Sequence, residues 1–113
     1  MRQHLADIIT KAQGQTVLCV GDVMLDRFVY GTVDRISPES PVPVLRKVST
    51  VEMPGGAGNV ARNMAAMGLQ VIVAGCIGND AEGEALEASL NAHERIETRL
   101  AKVSSLETVV KTR

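Results

Sequence analysis

Two uninterrupted apolar runs constrain the fold more than any other feature, "TVLCV" at Thr16–Val20 and "LQVIVAGCIG" at Leu69–Gly78. Each has strand length and lacks the polar alternation of a half-exposed strand. Each therefore predicts a strand buried on both faces, as in a parallel sheet. Helical patterns lie beside them. Leu5, Ile8, Ile9 and Ala12 repeat at the spacing of one helix face and stop before Gly14. A second helix is predicted from about Val60 to Met67, ended by Gly68. Asp80 then reads as the N-cap of a third helix, with Glu82 and Glu84 in its first turn and Leu86 and Leu90 facing inward. The segments "IETRLAKV" and "ETVVKTR" predict two alternating strands about a Ser104–Ser105 turn. Strands alternating with helices give an α/β layered fold.

Between Val29 and Met53 the pattern changes. Pro38, Pro41 and Pro43 fall close together, and a polar–apolar alternation follows. Proline is confined to edge strands and loops, so this segment predicts short exposed strands standing off the main sheet as a lid. A chain of 113 residues holds one small domain with its own core. The net charge of −1 offers no general attraction for nucleic acid or an anionic membrane. With no Trp, one Tyr and one Phe, the chain also lacks stacking platforms for bases. No run approaches the ~20 apolar residues of a membrane span, and Asp7 and Lys11 interrupt any signal-like block at the N-terminus. Cys19 and Cys76 sit inside the apolar runs and read as buried free thiols, which suits a reducing, cytoplasmic setting.

The stretch "MPGGAGNVARNMAAMG", Met53–Gly68, poses the functional question, because glycines admit a close neighbour that a Cβ would exclude. Gly56 to Ala61 fits G-x-G-x-x-A, and Asp80 lies where a ribose-binding acid would. That fingerprint needs a buried strand running straight into its first glycine. Here "STVEMPGG" leads in instead, which disfavours a dinucleotide site. No Lys follows the last glycine, as a phosphate-binding loop requires. Asn59 suits either hydrogen bonding to a ligand or capping of the helix at Val60. His4 and His93 have no ligand cluster near them in sequence. Met53, Met64 and Met67 read as core or lid packing.

The run "GGAGNVARNMAAMGLQVIVAGCIG" is similar to the first signature of the ribokinase (PfkB) family of carbohydrate kinases. Gly55, Gly56, Ala57, Asn59, Ala61, Gly68 and Gly78 occupy its fixed positions. "VGDVMLDRF" resembles the family's opening strand, and "IGNDAEG" resembles the turn after the signature. "GDVMLDRFVYG" and "RISPESPVPV" are similar, more narrowly, to heptose 7-phosphate kinase domains, which in many bacteria are fused to an ADP-heptose synthase.

The resemblance implies a ribokinase-like fold, a mostly parallel sheet flanked by helices, with a projecting β lid at about residues 29–53. It implies ATP-dependent phosphorylation of the anomeric hydroxyl of D-glycero-D-manno-heptose 7-phosphate, on the route to ADP-heptose and lipopolysaccharide core. A ribose or fructose kinase and a non-catalytic sugar-phosphate binding module are the alternatives. Asp26 would accept hydrogen bonds from sugar hydroxyls, Gly55 and Gly56 would admit the sugar to backbone amides, and Asn59 would contact it. A 7-phosphate calls for cations among Arg35, Arg46, Lys111 and Arg113. In the family, the base and the site for ATP and Mg2+ belong to a later Gly-Ala-Gly-Asp segment, which these residues lack. Residues 1–113 are thus expected to be the N-terminal portion of a kinase domain. That portion would have no catalytic base, metal or nucleotide of its own and would be inactive alone. The expected partners are a sugar phosphate and a second copy paired through the lid strands, not nucleic acid or membrane.

Overall fold

The computed structural model describes residues 1–113. A first helix, α1 (Arg2–Ala12), leads through Gly14, at φ +79°, into strand β1 (Thr16–Val20). Two long strands follow, β2 (Val23–Ile36) and β3 (Pro43–Gly56), then α2 (Ala57–Ala66), β4 (Gln70–Gly78) and α3 (Ala81–Asn91). The chain continues with β5 (Ile96–Val103) and β6 (Val110–Thr112). A parallel sheet of order β1-β4-β5 lies beside a second sheet of order β3-β2-β6. The α/β class and the parallel pairing are as the apolar runs predict.

The core forms where one face of the parallel sheet meets α2, α3 and the base of the second sheet. Val71, Val73 and Ile77 of β4 point into it and Ile96 of β5 joins them; Ala61 and Ala65 of α2, Leu86 and Leu90 of α3, and Val23 and Leu25 of β2 complete it. Alanines on α2 let that helix lie close to the sheet, and each buried Leu or Ile contributes roughly 1.5–3 kcal/mol of transfer free energy.

The opposite face of that sheet is bare, contrary to the expectation of strands buried on both sides. Leu18 and Val20 of β1 are 62% and 70% exposed, and Cys76 of β4 is exposed where a buried thiol was expected. The cause is one-sided packing. Both α2 and α3 contribute to the core on the inner face, whereas α1 buries none of its residues. Leu5, Ile8 and Ile9 of its apolar stripe stay about half exposed.

The lid is longer and more deeply rooted than the proline pattern suggests. β2 and β3 pair antiparallel from Val23 opposite Gly56 out to Ile36 opposite Pro43, with register shifts at Tyr30/Gly31 and Val33/Arg35. At the root, Val23, Leu25 and Pro54 are buried. Pro54 is tolerated because β3 is the edge strand of its sheet. The Ser104–Ser105 turn is present, but the strand after it does not pair with β5. It crosses to the second sheet and runs parallel to β2, Val110 beside Leu25 and Lys111 beside Asp26.

Candidate functional site

Strand alternation sorts the root of β2 into two faces. Val23 and Leu25 turn into the core, so Met24, Asp26 and Phe28 turn to the other side. Lys111 is in parallel register with Asp26 and shares its face. The Arg113 guanidinium carbon lies 5.7 Å from the centre of the Phe28 ring, within cation–π range. Asp26 is half-buried, while Lys111 and Arg113 are exposed. The Oδ1 atom of Asp26 is buried without a hydrogen-bond partner. An acceptor in that state is unfavourable until a donor reaches it. One open sheet face therefore carries a carboxylate in need of donors and two free cations beside it.

The glycine pair is explained by this carboxylate. A Cβ on Gly55 would stand 2.6–2.7 Å from the carboxyl carbon and both oxygens of Asp26. Gly55 thus makes room for the Asp26 side chain itself, a use that the sugar–amide expectation does not include. Gly56 has φ +58° and packs against the Asp22 carbonyl. That carbonyl accepts a hydrogen bond from the Ala57 N–H at 2.8 Å, so α2 starts at Ala57, ahead of the predicted Val60. Asn59 consequently lies within the first turn, exposed, and does not cap the helix. Gly58, the next glycine, is buried between Pro54 and Leu90, where a Cβ would come within 3.0 Å of Pro54 Cβ.

Asp80 caps α3 as predicted, accepting from the Gly83 N–H at 2.8 Å. It also accepts from the Thr108 N–H at 2.8 Å and from the Thr108 hydroxyl at 2.6 Å. The Thr108 hydroxyl, its N–H and the Gly83 N–H, in that order of weight, hold the Asp80 carboxyl below its ordinary value. Both elements of the dinucleotide pattern are therefore engaged within the chain: Gly56 by Asp22, Gly58 by Pro54 and Leu90, and the acid by Thr108. The segment does not fit a nucleotide phosphate, and no three His, Cys, Asp or Glu side chains converge to hold a metal ion.

The other predicted residues lie elsewhere. Arg35 and Arg46 sit on the outer lid, and Arg46 is paired with Asp34 at 3.3 Å. From Asp26 to Arg35 is roughly 30 Å along the strand. Cys19 is half-buried with its Sγ 3.6 Å from the Ala57 carbonyl oxygen. His93 Nδ1 accepts from the Arg95 N–H at 3.2 Å and closes the turn after α3. Met64 packs on the core as expected, whereas Met67 is 45% exposed because α2 turns it outward beside Gly68. Two contributors were not foreseen. Arg27 ties the lid root to its surroundings through Glu52 at 3.4 Å and Glu82 at 4.0 Å, and Thr108 closes the bonds around Asp80. A charge at the alternate position after Val23 and Leu25 could have flagged Arg27; nothing local flags Thr108. No helix is long and apolar enough to cross a membrane.

The profile described as pfkB family carbohydrate kinase matches residues 15–108. The bifunctional protein HldE of Hyphomonas neptunium is 47% identical over 113 residues, all of this chain and 23% of that protein. The protein of the same name from Rhodopseudomonas palustris is 54% identical over 99 residues, 88% of this chain and 20% of the relative. The chain thus spans about a fifth to a quarter of the length of these curated relatives. Among solved structures, a carbohydrate kinase from Agrobacterium tumefaciens superposes with a TM-score of 0.68 at 23% identity. The match covers 87% of this chain and 30% of that one, a likeness of fold.

Proposed function

The chain belongs to the pfkB family of carbohydrate kinases, and from that premise we propose that it supplies the sugar-binding side of a heptose 7-phosphate kinase. The observation that carries this reading is the shared face of Asp26, Lys111 and Arg113, with the Asp26 Oδ1 lacking a donor. An acceptor-only carboxylate suits sugar hydroxyls, which donate, and the neighbouring cations suit a phosphate on the same small molecule. Asp26 orients the ring, and Lys111 with Arg113 receives the phosphate. The acceptor is the anomeric hydroxyl of D-glycero-D-manno-heptose 7-phosphate, and the product feeds ADP-heptose and lipopolysaccharide core synthesis in the cytoplasm.

Residues 1–113 are the N-terminal portion of the kinase domain in this proposal. The greater length of the relatives supports that, and so does the bare apolar face of β1 and β4, a surface suited to packing further chain. ATP, Mg2+ and the base that accepts the hydroxyl proton belong to that further chain, since Gly55, Gly56 and Gly58 here pack against Asp26, Asp22 and Pro54. Two copies pair through their lids, whose Tyr30, Val33, Ile36, Leu45 and Val48 are all more than half exposed.

The test is Asp26→Ala in the intact enzyme, assayed on heptose 7-phosphate with ribose and fructose as comparisons. Losing a charge-assisted contact to the reacting sugar lowers kcat/KM by about ten- to a hundredfold or more. Near-normal kinetics would make Asp26 a surface acid and remove the basis of the proposal.

A further inference from the structure

Resting on the functional reading above, the geometry points to Asp80 and Thr108 as positioning residues that hold β6, and with it Lys111, in register with Asp26. Neither side chain is placed to touch the sugar. They act through the short strand that carries the phosphate-side cation.

A helix N-cap needs one hydrogen bond, and Asp80 makes three. Its Oδ1 accepts from the Gly83 N–H and the Thr108 hydroxyl, and its Oδ2 accepts from the Thr108 N–H. The same hydroxyl oxygen accepts from the Gly78 N–H at 2.9 Å. A closed ring therefore joins the end of β4, the start of α3 and the segment entering β6. Two glycines are built into it. A Cβ on Gly78 would stand 2.5 Å from Asp80 Oδ2, and one on Gly83 would stand 2.8 Å from Thr108 Oγ1. Thr108 is the one buried polar residue of the chain, at 8% exposure.

What leaves this ring is β6. The Val109 carbonyl accepts from the Leu25 N–H at 2.8 Å, Val110 then aligns with Leu25 and Lys111 with Asp26. β6 has only three residues and lies at the edge of its sheet. Its backbone pairs with β2 from Val109 to Arg113 and Val110 packs against the core, and Thr108 fixes where that pairing begins. β2 is independently anchored, because Leu25 is 1% exposed in the core. Loosening the clamp therefore moves Lys111 and leaves Asp26 in place, so the loss falls on the phosphate end of the substrate.

That selectivity separates positioning from general structural support. In the intact enzyme, Thr108→Val is expected to raise KM for heptose 7-phosphate by about tenfold, the scale of one ionic hydrogen bond. KM for ATP and the use of unphosphorylated heptose stay within twofold. Thr108→Ser, which keeps the hydroxyl, restores the wild-type KM. Combining Thr108→Val with Lys111→Ala gives no more loss than Lys111→Ala alone, the mark of two residues acting through one contact. Additive effects, or equal loss with both sugars, would overturn the clamp. If the valine variant does not fold, amide hydrogen exchange on Asp80→Asn, with Thr108→Ser as the control that keeps the hydroxyl, reads the same property. Faster exchange at Arg113, whose N–H donates to the Arg27 carbonyl, with β4 unchanged, supports the clamp. Uniform acceleration overturns it. A wild-type enzyme inactive on heptose 7-phosphate defeats the functional reading instead, and the exchange experiment still decides whether the clamp holds β6.

Discussion

Replacing Gly55 with alanine tests the coupling between the glycine pair and the site most directly. The added methyl would lie 2.6 Å from the Asp26 carboxyl carbon, against about 3.4 Å for an ordinary contact. The carboxylate must retreat by about 0.8 Å, which for a carbon one bond beyond Cβ means turning χ1 by roughly 30°. Such an off-rotamer turn costs about 0.5–1.5 kcal/mol. Backbone adjustment between β2 and β3 is the alternative, and overpacking of that kind costs about 1–3 kcal/mol. Stability therefore falls only modestly. Catalysis falls further, because displacing a positioning group by about 1 Å can cost on the order of a hundredfold. Melting curves and kcat/KM on heptose 7-phosphate read the two effects separately. The decisive comparison is Gly55→Ala in an Asp26→Ala background, where the methyl meets no carboxylate and destabilises little. A Gly55→Ala enzyme with wild-type kcat/KM, or the same destabilisation in both backgrounds, would refute the link between Gly55 and Asp26.

The core and the clamp give two more predictions. Leu90 is fully buried on α3, so Leu90→Ala is expected to cost about 2–5 kcal/mol in denaturant unfolding, and a cost below about 1 kcal/mol would place the core elsewhere. Asp80 is held below its ordinary value of 3.8. Between the folded and unfolded values the unfolded chain binds more protons, so stability rises with pH there. The contribution is complete above pH 3.8 and is lost as pH falls through the lower folded value. Asp80→Asn should flatten the acid limb of Tm against pH, and superimposable limbs would show that the carboxylate is not held as described.

The helix and strand order is legible because the apolar periods of α3, β4 and β5 are each set by near neighbours in sequence. The Asp80 cap is legible for the same reason. One-sided burial of β1 is not, since Leu18 and Val20 read alike whether or not an element covers them. The start of α2 shifts because the Asp22 carbonyl, 35 residues back, accepts from Ala57 and takes over the role of an Asn59 cap. Asp26 and the glycine pair are candidate site residues by resemblance, but their mutual contact is not legible in the sequence. It depends on a β2–β3 register that only the whole hairpin sets. Lys111 could be ranked with three other cations by sequence, and only the crossing of β6 to β2 separates it and Arg113 from Arg35 and Arg46.

The length of the β2–β3 hairpin has a mechanical consequence. Its root at Gly55 and Asp26 and its tip near Ile36 and Pro43 are separated by about 35 Å of paired strand. Turned by about 10° at the root, an arm of that length sweeps its tip through roughly 6 Å. A spectroscopic label near Ser40, far from Asp26 along the hairpin, would magnify rearrangements around Asp26 too small to see at the root itself. The register shifts at Tyr30/Gly31 and Val33/Arg35 mark where such an arm would flex instead of transmitting.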